Sequence, residues 1–139
     1  MSTPALVGSC GCGAVRFEVT EPLLGAMYCH CTRCQKRSGT AFQASALAAP
    51  GSVTVVEGAE HLRDWRPGGL AKTYCGRCGA HVFARDPETG AIPIVRMSAI
   101  DGDPGVRPLA RQFVAYHPEW APIPEDGLPR YDEAMPRRA

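Results

Sequence analysis

Three of the seven cysteines fall within six residues, and no other feature of the sequence constrains the fold as strongly. Cys29, Cys31 and Cys34 can point their sulfurs at one centre if the first pair lies on a bent strand end and the third follows in a tight turn. Such crowding is favourable when the thiolates bind a metal ion, and Zn²⁺ takes cysteine sulfur at about 2.3 Å in tetrahedral geometry. We therefore expect these three cysteines to bind zinc.

The other four cysteines form two short motifs, Cys10-Gly-Cys12 and Cys75-Gly-Arg-Cys78, each followed by glycine. A Cys-x-x-Cys-Gly motif is typical of a zinc knuckle, because glycine permits the tight or left-handed backbone beside the sulfurs. The two motifs together predict a closed four-cysteine zinc site, and the central three cysteines then keep one coordination position open. Disulfides fit less well, since seven is an odd number and a Cys-x-Cys pair is awkward to bridge.

Length and charge limit the classes of protein that this sequence can encode. A chain of 139 residues is expected to form one domain, in which a structural metal would supply a large share of the stability. The net charge is +1, so no global field attracts nucleic acid or an anionic membrane. Because we see neither a signal sequence nor an apolar run of about 18 residues, we expect a soluble, cytoplasmic protein.

The hydrophobic pattern predicts a mainly β fold with few short helical turns. Val15, Phe17 and Val19 alternate with polar residues, as in a half-buried strand, and 13 prolines and 15 glycines argue against long helices. A helical turn is expected at 32–36. Further strands are predicted at 40–48, 52–57, 71–74, 80–84, 92–97 and 112–116, with one hairpin joining 40–48 to 52–57 and another joining 80–84 to 92–97.

The C-terminal segment, residues 118–139, is rich in proline and has no sustained apolar period. We expect it to form an extended arm that lies across a core of about residues 8–130 and frays after Tyr131. Trp120 is expected to anchor this arm by ordinary packing.

Several single residues allow both a functional and a structural interpretation. His30 is expected to point away from the cysteines that flank it, because successive side chains of an extended segment alternate in direction. His81 follows the second knuckle and is expected to be a hydrogen-bonded structural histidine on a strand, although it could compete for the zinc. Tyr28, Phe42 and Trp65 are predicted to lie in the core.

Four segments of the sequence resemble the glutathione-dependent formaldehyde-activating enzyme family, namely residues 8–17, 29–39, 75–79 and 120–129. The resemblance spans residues 8–130 and implies an Mss4-like fold, a β-sandwich or β-tent with zinc knuckles. It also implies a structural zinc on Cys10, Cys12, Cys75 and Cys78, and a catalytic zinc on Cys29, Cys31 and Cys34. Two positions depart from the family, since Gly11 and Arg111 stand where relatives often carry histidine.

The leading hypothesis is a zinc-dependent carbon–sulfur lyase that acts on a glutathione-type thiol and an aldehyde such as formaldehyde, with S-hydroxymethylglutathione as the adduct. The open zinc position would bind the substrate thiol, lower its pKa and present the nucleophilic thiolate to the carbonyl. Arg33, Lys36 and Arg37 are candidates for holding the glutathione carboxylates, or else form a solvated basic face.

The alternative hypothesis is a non-enzymatic, zinc-stabilised binding module of the same fold, in which both metals are structural. A buried fourth protein ligand at Cys29, Cys31 and Cys34 would favour the module, and an exchangeable thiol or water there would favour the enzyme. Nucleic-acid binding is disfavoured by the net charge of +1 and by the lack of a basic strand with interleaved aromatic residues.

Overall fold

The computed structural model describes residues 6–136, and within this range the chain forms ten strands, one α-helix and three short 3₁₀ helices. The helix α1 spans Thr32–Ser38, and the 3₁₀ helices span Ala59–His61, Met97–Ala99 and Val114–Tyr116. The strands are β1 (Leu6–Ser9), β2 (Arg16–Val19), β3 (Gly25–Cys29), β4 (Gln43–Leu47), β5 (Val53–Glu57), β6 (Leu62–Trp65), β7 (Ala71–Cys75), β8 (His81–Arg85), β9 (Ile94–Arg96) and β10 (Pro108–Gln112).

The strands make two sheets, which confirms the predicted mainly β fold. The smaller sheet has the order β1-β2-β5 and the larger has the order β10-β3-β4-β9-β8-β7-β6. All pairings are antiparallel except that of β10 with β3. The predicted helical turn at 32–36 is also confirmed, as the first part of α1.

The two sheets share one cluster of buried side chains. Phe17 of β2 and Phe83 of β8 are fully buried, and their rings meet edge to face with centroids 5.6 Å apart. Gly8 on the neighbouring strand β1 makes room for this contact, because a Cβ atom there would lie 2.1 Å from the Phe17 ring. The alternation that predicted the buried face of β2 therefore identified the centre of the core.

One of the two predicted hairpins is correct and the other is wrong. Strands β8 and β9 pair as expected, but β4 pairs with β3 and β9 in the larger sheet whereas β5 pairs with β2 in the smaller one. The turn between β4 and β5 exists, and the backbone amide and hydroxyl of Ser52 both donate to the carbonyl of Ala49. It carries the chain from one sheet to the other, because β5 completes the side of β2 that β1 leaves unpaired.

The strand predicted at 112–116 is also wrong, because β10 ends at Gln112 and a 3₁₀ helix begins at Val114. Phe113 lies between them in the left-handed conformation, with φ 57° and ψ 37°. This backbone costs about 1–2 kcal/mol for a residue other than glycine, and it ends the extended strand. The change of direction turns Phe113 and the 3₁₀ helix toward the start of α1.

The C-terminal segment lies alongside β10. The backbone amide of Arg111 donates to Pro129 at 2.9 Å, and the amide of Tyr131 returns a bond to Arg111 at 2.9 Å. Hydrogen bonds continue to Met135, whose amide donates to the Gln112 side chain at 3.0 Å, past the point where the sequence predicted fraying. Trp120 is 74% exposed, so the expectation that it anchors this segment is wrong.

Candidate metal centres

The sulfurs of two distant motifs meet at one end of the larger sheet. The Sγ atoms of Cys10 and Cys12 are 3.7 Å apart, and those of Cys12 and Cys75 are 4.0 Å apart. With Cys78 they form a group whose sulfurs all lie within 4.8 Å of one another. A tetrahedron with zinc–sulfur bonds of about 2.3 Å has sulfur–sulfur edges of about 3.8 Å, so the four thiols fit Zn²⁺.

Each of the two motifs is a turn that directs backbone amides at sulfur. The amide of Gly13 donates to the carbonyl of Cys10 at 3.2 Å, and the amide of Gly79 donates to that of Cys75 at 2.7 Å. Both glycines have φ near +80°, at 81° and 80°, a conformation that side chains disfavour. The amide of Val15 donates to the Cys10 sulfur at 3.2 Å, which stabilises thiolate character.

The remaining three cysteines form a second group, at the junction of β3 and α1. Cys29 is the last residue of β3 and Cys31 is the N-cap of α1, whose sulfur accepts a hydrogen bond from the Cys34 amide at 3.3 Å. Their sulfurs lie within 4.8 Å of one another, and among residues 6–136 this cluster offers three ligand atoms rather than four. The structure thus gathers the cysteines into the four and three that their spacing predicted.

The thiols of Cys29 and Cys34 differ in acidity. A hydrogen bond from the Cys34 thiol, opposed by burial, lowers the pKa of Cys29 to about 6, and the same contact raises the pKa of Cys34. The polar side chain of Gln112, which lies opposite Cys29 in the β10–β3 pair, also lowers the pKa of Cys29. The sequence analysis did not identify Gln112 as a neighbour of Cys29, because only the parallel pairing of β10 with β3 brings the two residues together.

His30 points away from the three-cysteine cluster, as expected. It is 2% exposed, and its Nε2 atom lies 3.2 Å from a guanidinium nitrogen of Arg111. Burial, and then the charge of Arg111, lower the pKa of His30 to about 4, so the ring is neutral at pH 7. Arg111 is itself buried, pairs with Asp126 at 2.7 Å and stacks 4.4 Å from the Tyr28 ring centroid. These residues form a support beneath the cluster.

An open depression of about 290 Å³ adjoins the three-cysteine cluster. Its walls are formed by Cys31, Thr32, Arg33, Phe113 and Tyr116. The side-chain amide of Gln35 donates to the carbonyls of His30 and Tyr116, at 2.8 and 2.9 Å, and thereby holds α1 against the 3₁₀ helix. The cluster is therefore accessible from one side, whereas the buried Cys10 and Cys75 tie the four-cysteine cluster to the hydrophobic core.

The model of a family described as "Glutathione-dependent formaldehyde-activating enzyme" matches residues 5–116, a range that holds all seven cysteines. The chain belongs to this family. A Halomonas elongata protein provisionally named as a glutathione-dependent formaldehyde-activating enzyme is 32% identical over 126 residues, which cover 85% of this chain and 80% of that protein. The crystal structure of a Rhodobacter sphaeroides protein matches with a TM-score of 0.59 at 25% identity, over 91% of this chain and 99% of that one.

In this member of the family, two of the three predicted basic residues lie on one side of α1. The guanidinium carbons of Arg33 and Arg37 are 5.6 and 5.7 Å from the ring centroid of Trp65. Lys36 lies on the exposed side of the helix. Trp65 is 42% exposed and Phe42 36%, so the prediction that both lie in the core is wrong, and Trp65 instead supports the arginines.

Two further cations lie close to the three cysteines, and the sequence analysis did not identify them. The charge of Cys34 acts on Lys72 and Arg96 as well as on Arg37, and in all three groups burial is the largest cause of a lowered pKa. Arg96 was part of the predicted strand at 92–97, but the sequence did not show which face of the sheet it occupies.

Among residues 6–136, no helix is long and apolar enough to cross a membrane.

Proposed function

We propose that this protein is a zinc-dependent carbon–sulfur lyase-type enzyme that acts on a glutathione-type thiol and an aldehyde such as formaldehyde. The observation that carries the proposal is the three-cysteine cluster itself, whose sulfurs lie within 4.8 Å of one another beside an open depression. The family description, which names glutathione and formaldehyde, supports the same chemistry.

The residues around the cluster fit a catalytic rather than a purely structural ion. Three cysteine ligands with one open position is the arrangement of a catalytic zinc site. A Zn²⁺ ion held by Cys29, Cys31 and Cys34 would supply a Lewis acid that lowers the pKa of a thiol at its fourth position. The backbone amide of Cys34 donates to the Cys31 sulfur at 3.3 Å and holds this middle ligand in place.

The reaction joins a thiol to a carbonyl without any change in oxidation state. The thiolate sulfur attacks the carbonyl carbon, a carbon–sulfur bond forms, and the proton lost by the thiol ends on the former carbonyl oxygen. Cleavage of S-hydroxymethylglutathione is the reverse. Phe113 and Tyr116, with ring centroids 6.2 Å apart, give the depression an aromatic wall.

The test measures hemithioacetal formation from glutathione and formaldehyde with zinc-loaded protein, alongside calorimetry with glutathione. We expect heat on thiol addition and acceleration over buffer. The Cys34→Ser variant should lose both while its far-ultraviolet circular dichroism stays that of the wild type. No heat with glutathione or other small thiols, together with no acceleration, would refute the proposal and favour the zinc-stabilised binding module.

A further inference from the structure

Four cations near the three-cysteine cluster have no acidic partner in the described part of the chain. Arg33, Arg37, Lys72 and Arg96 make no ion pair within residues 6–136. The whole chain has a net charge of only +1, so this is a local surplus of positive charge. Unpaired cations in one place favour the binding of an anion.

The strand register places these side chains on one face of the larger sheet. Lys72 lies opposite Ala84, which lies opposite Ile94, and Arg96 follows two residues later on the same face. Arg96 lies opposite Ser45 of β4, and its guanidinium donates to the Ser45 hydroxyl at 2.7 Å. Helix α1 approaches this face through the contact of its two arginines with Trp65, which lies opposite Lys72.

A pocket of about 270 Å³ opens on this face, between α1 and the second cysteine knuckle. Arg37, Trp65, Tyr74, Gly79 and His81 line it. The guanidinium of Arg37 donates to Nδ1 of His81, and because arginine cannot accept, the hydrogen of His81 is on Nε2. Burial, followed by the charges of Arg37 and Arg96, lowers the pKa of His81, so the ring stays neutral and offers an N–H donor. The pocket therefore combines hydrogen-bond donors with two aromatic rings.

Arg96 shows that the positive charge is partly desolvated. The residue is 6% exposed, and its Nε atom has no hydrogen-bond partner among the described residues. A buried charge without a counter-ion is costly, and a bound anion would offset that cost. Three thiolates around one Zn²⁺ would carry a net charge of −1, which neutralises about one of the four cations. The remaining charge is available to a ligand.

We propose that this pocket, lined by Arg37, Trp65, Tyr74, Gly79 and His81 and backed by Lys72 and Arg96, binds a carboxylate of the thiol substrate. The substrates are then carboxylate-bearing peptide thiols rather than small neutral thiols. This inference rests on the proposed function for the placement of the sulfur. Arg37 follows Cys34 by three residues of α1, about 4.5 Å along the helix, and an extended tripeptide spans about 10 Å. A tripeptide with its sulfur at the three cysteines can reach the pocket.

The test uses γ-glutamyl-alanyl-glycine, a tripeptide that keeps both carboxylates of glutathione and lacks its thiol, and the diethyl ester of the same peptide. Calorimetry on the zinc-loaded protein should show at least about tenfold tighter binding of the free acid, a difference of about 1.4 kcal/mol. Lys72→Gln and Arg37→Gln should each reduce the affinity for the acid about tenfold, and Lys72→Arg should restore most of it. Arg16→Gln, on the exposed side of β2 in the other sheet, is the matched control and should bind as the wild type does.

The possible outcomes distinguish a failure of the proposed carboxylate pocket from a failure of the proposed reaction. Equal affinity for the acid and the diester, or an equal loss in Arg16→Gln, overturns the carboxylate pocket even if the hemithioacetal assay succeeds. Tight binding of the acid that depends on Lys72 and Arg37 supports the pocket even if no acceleration is observed, in which case the proposed reaction fails alone. Melting curves of all four variants should match the wild type, so that lost binding is not lost folding.

Discussion

The two cysteine clusters use the same ligand atoms in different surroundings. Cys12 and Cys75 are 63 positions apart in the sequence, and two of the four sulfurs of their cluster lie in buried residues of the core. The three-cysteine cluster comes from one short stretch, and all three of its residues are partly exposed. A metal in the first cluster would close a long loop of the chain, whereas a metal in the second would order one strand end and one helix turn. This difference supports our proposal that the first cluster has a structural role and the second a catalytic one.

The groups that surround the sulfurs also differ between the two clusters. Backbone amides surround the four sulfurs, with those of Val15 and Arg77 donating to Cys10 and Cys75 at 3.2 and 3.4 Å. The three sulfurs also receive an amide hydrogen bond, from Cys34 to Cys31, but they share their surroundings with long cationic side chains, among them Arg37 and Arg96. Backbone amides have fixed positions and stabilise a thiolate in the folded protein. Cationic side chains near the sulfurs can in addition bind the charged groups of a ligand.

The largest effect that distinguishes the clusters is expected from Cys75→Ser. This residue is fully buried, and its loss removes one of four ligands from a site whose metal can contribute about 10–16 kcal/mol in small zinc-dependent folds. This contribution is as large as the whole stability of a typical domain, about 5–15 kcal/mol. The variant should therefore be unfolded or insoluble. Circular dichroism and metal analysis of the purified protein check this.

The matched change in the other cluster is Cys34→Ser, which removes one of three ligands at a partly exposed position. It should fold, retain one zinc ion per chain and lose the second. If Cys34→Ser unfolds the protein and Cys75→Ser does not, the roles of the two clusters must be exchanged.

The spacing of the cysteines was enough to predict how they group, because short-range motifs determine which sulfurs can share a metal. The alternation around Phe17 likewise predicted a buried strand, and the strand is fully buried on that side. Neither pattern states which sheet a strand joins. For this reason the chain segment that contains β5 was expected beside β4, although it pairs with β2.

The residues that surround the open cluster were harder to predict. Arg96 and Lys72 come from different strands and meet the cysteines through the register of the larger sheet, which a single sequence does not reveal. Trp65 resembles a core residue by type, but it lies on the strand at the edge of the sheet and covers arginines instead. The left-handed conformation of Phe113 ended a strand that its apolar neighbours favoured.

The clusters should also differ in how tightly they hold zinc. Four protein thiolates resist a chelator better than three thiolates and an exchangeable ligand, so a titration should remove the ions in two steps. The first ion should leave without a change in circular dichroism, and the second should leave with unfolding. A single step in which both ions leave together, or protein purified anaerobically without zinc, contradicts the assignment.

A smaller effect is expected from the support beneath the three-cysteine cluster. Asp126→Asn removes the carboxylate that pairs with the buried Arg111 at 2.7 Å, and the hydrogen bond from Arg111 is the main reason that the pKa of Asp126 is lowered. Hydrogen exchange should become faster in β10 and in residues 129–135, while the amides of the knuckle at 75–79 stay protected. Equal acceleration in both places would show that the clusters do not respond independently. Glu119→Gln, at an exposed position of the same segment that makes no ion pair among residues 6–136, is the matched control.

The smallest effect concerns salt. If Arg33, Arg37 and Lys72 contribute to thiol binding through carboxylates, the affinity for glutathione should fall several-fold between low and physiological ionic strength, because exposed charges are screened over about 8–10 Å. The zinc content of the four-cysteine cluster should not change over the same range. If the affinity for glutathione did not depend on salt, these charges would not contribute to binding, and the sulfur would be the only point of attachment.

The most direct measurement is a crystal structure of the zinc-loaded protein with glutathione, using the anomalous signal of zinc to locate both ions. We predict one zinc bound by the four sulfurs of Cys10, Cys12, Cys75 and Cys78, and a second bound by Cys29, Cys31, Cys34 and the sulfur of glutathione. A protein side chain at the fourth position of the second zinc, or glutathione bound away from it, would contradict the division into a closed and an open cluster.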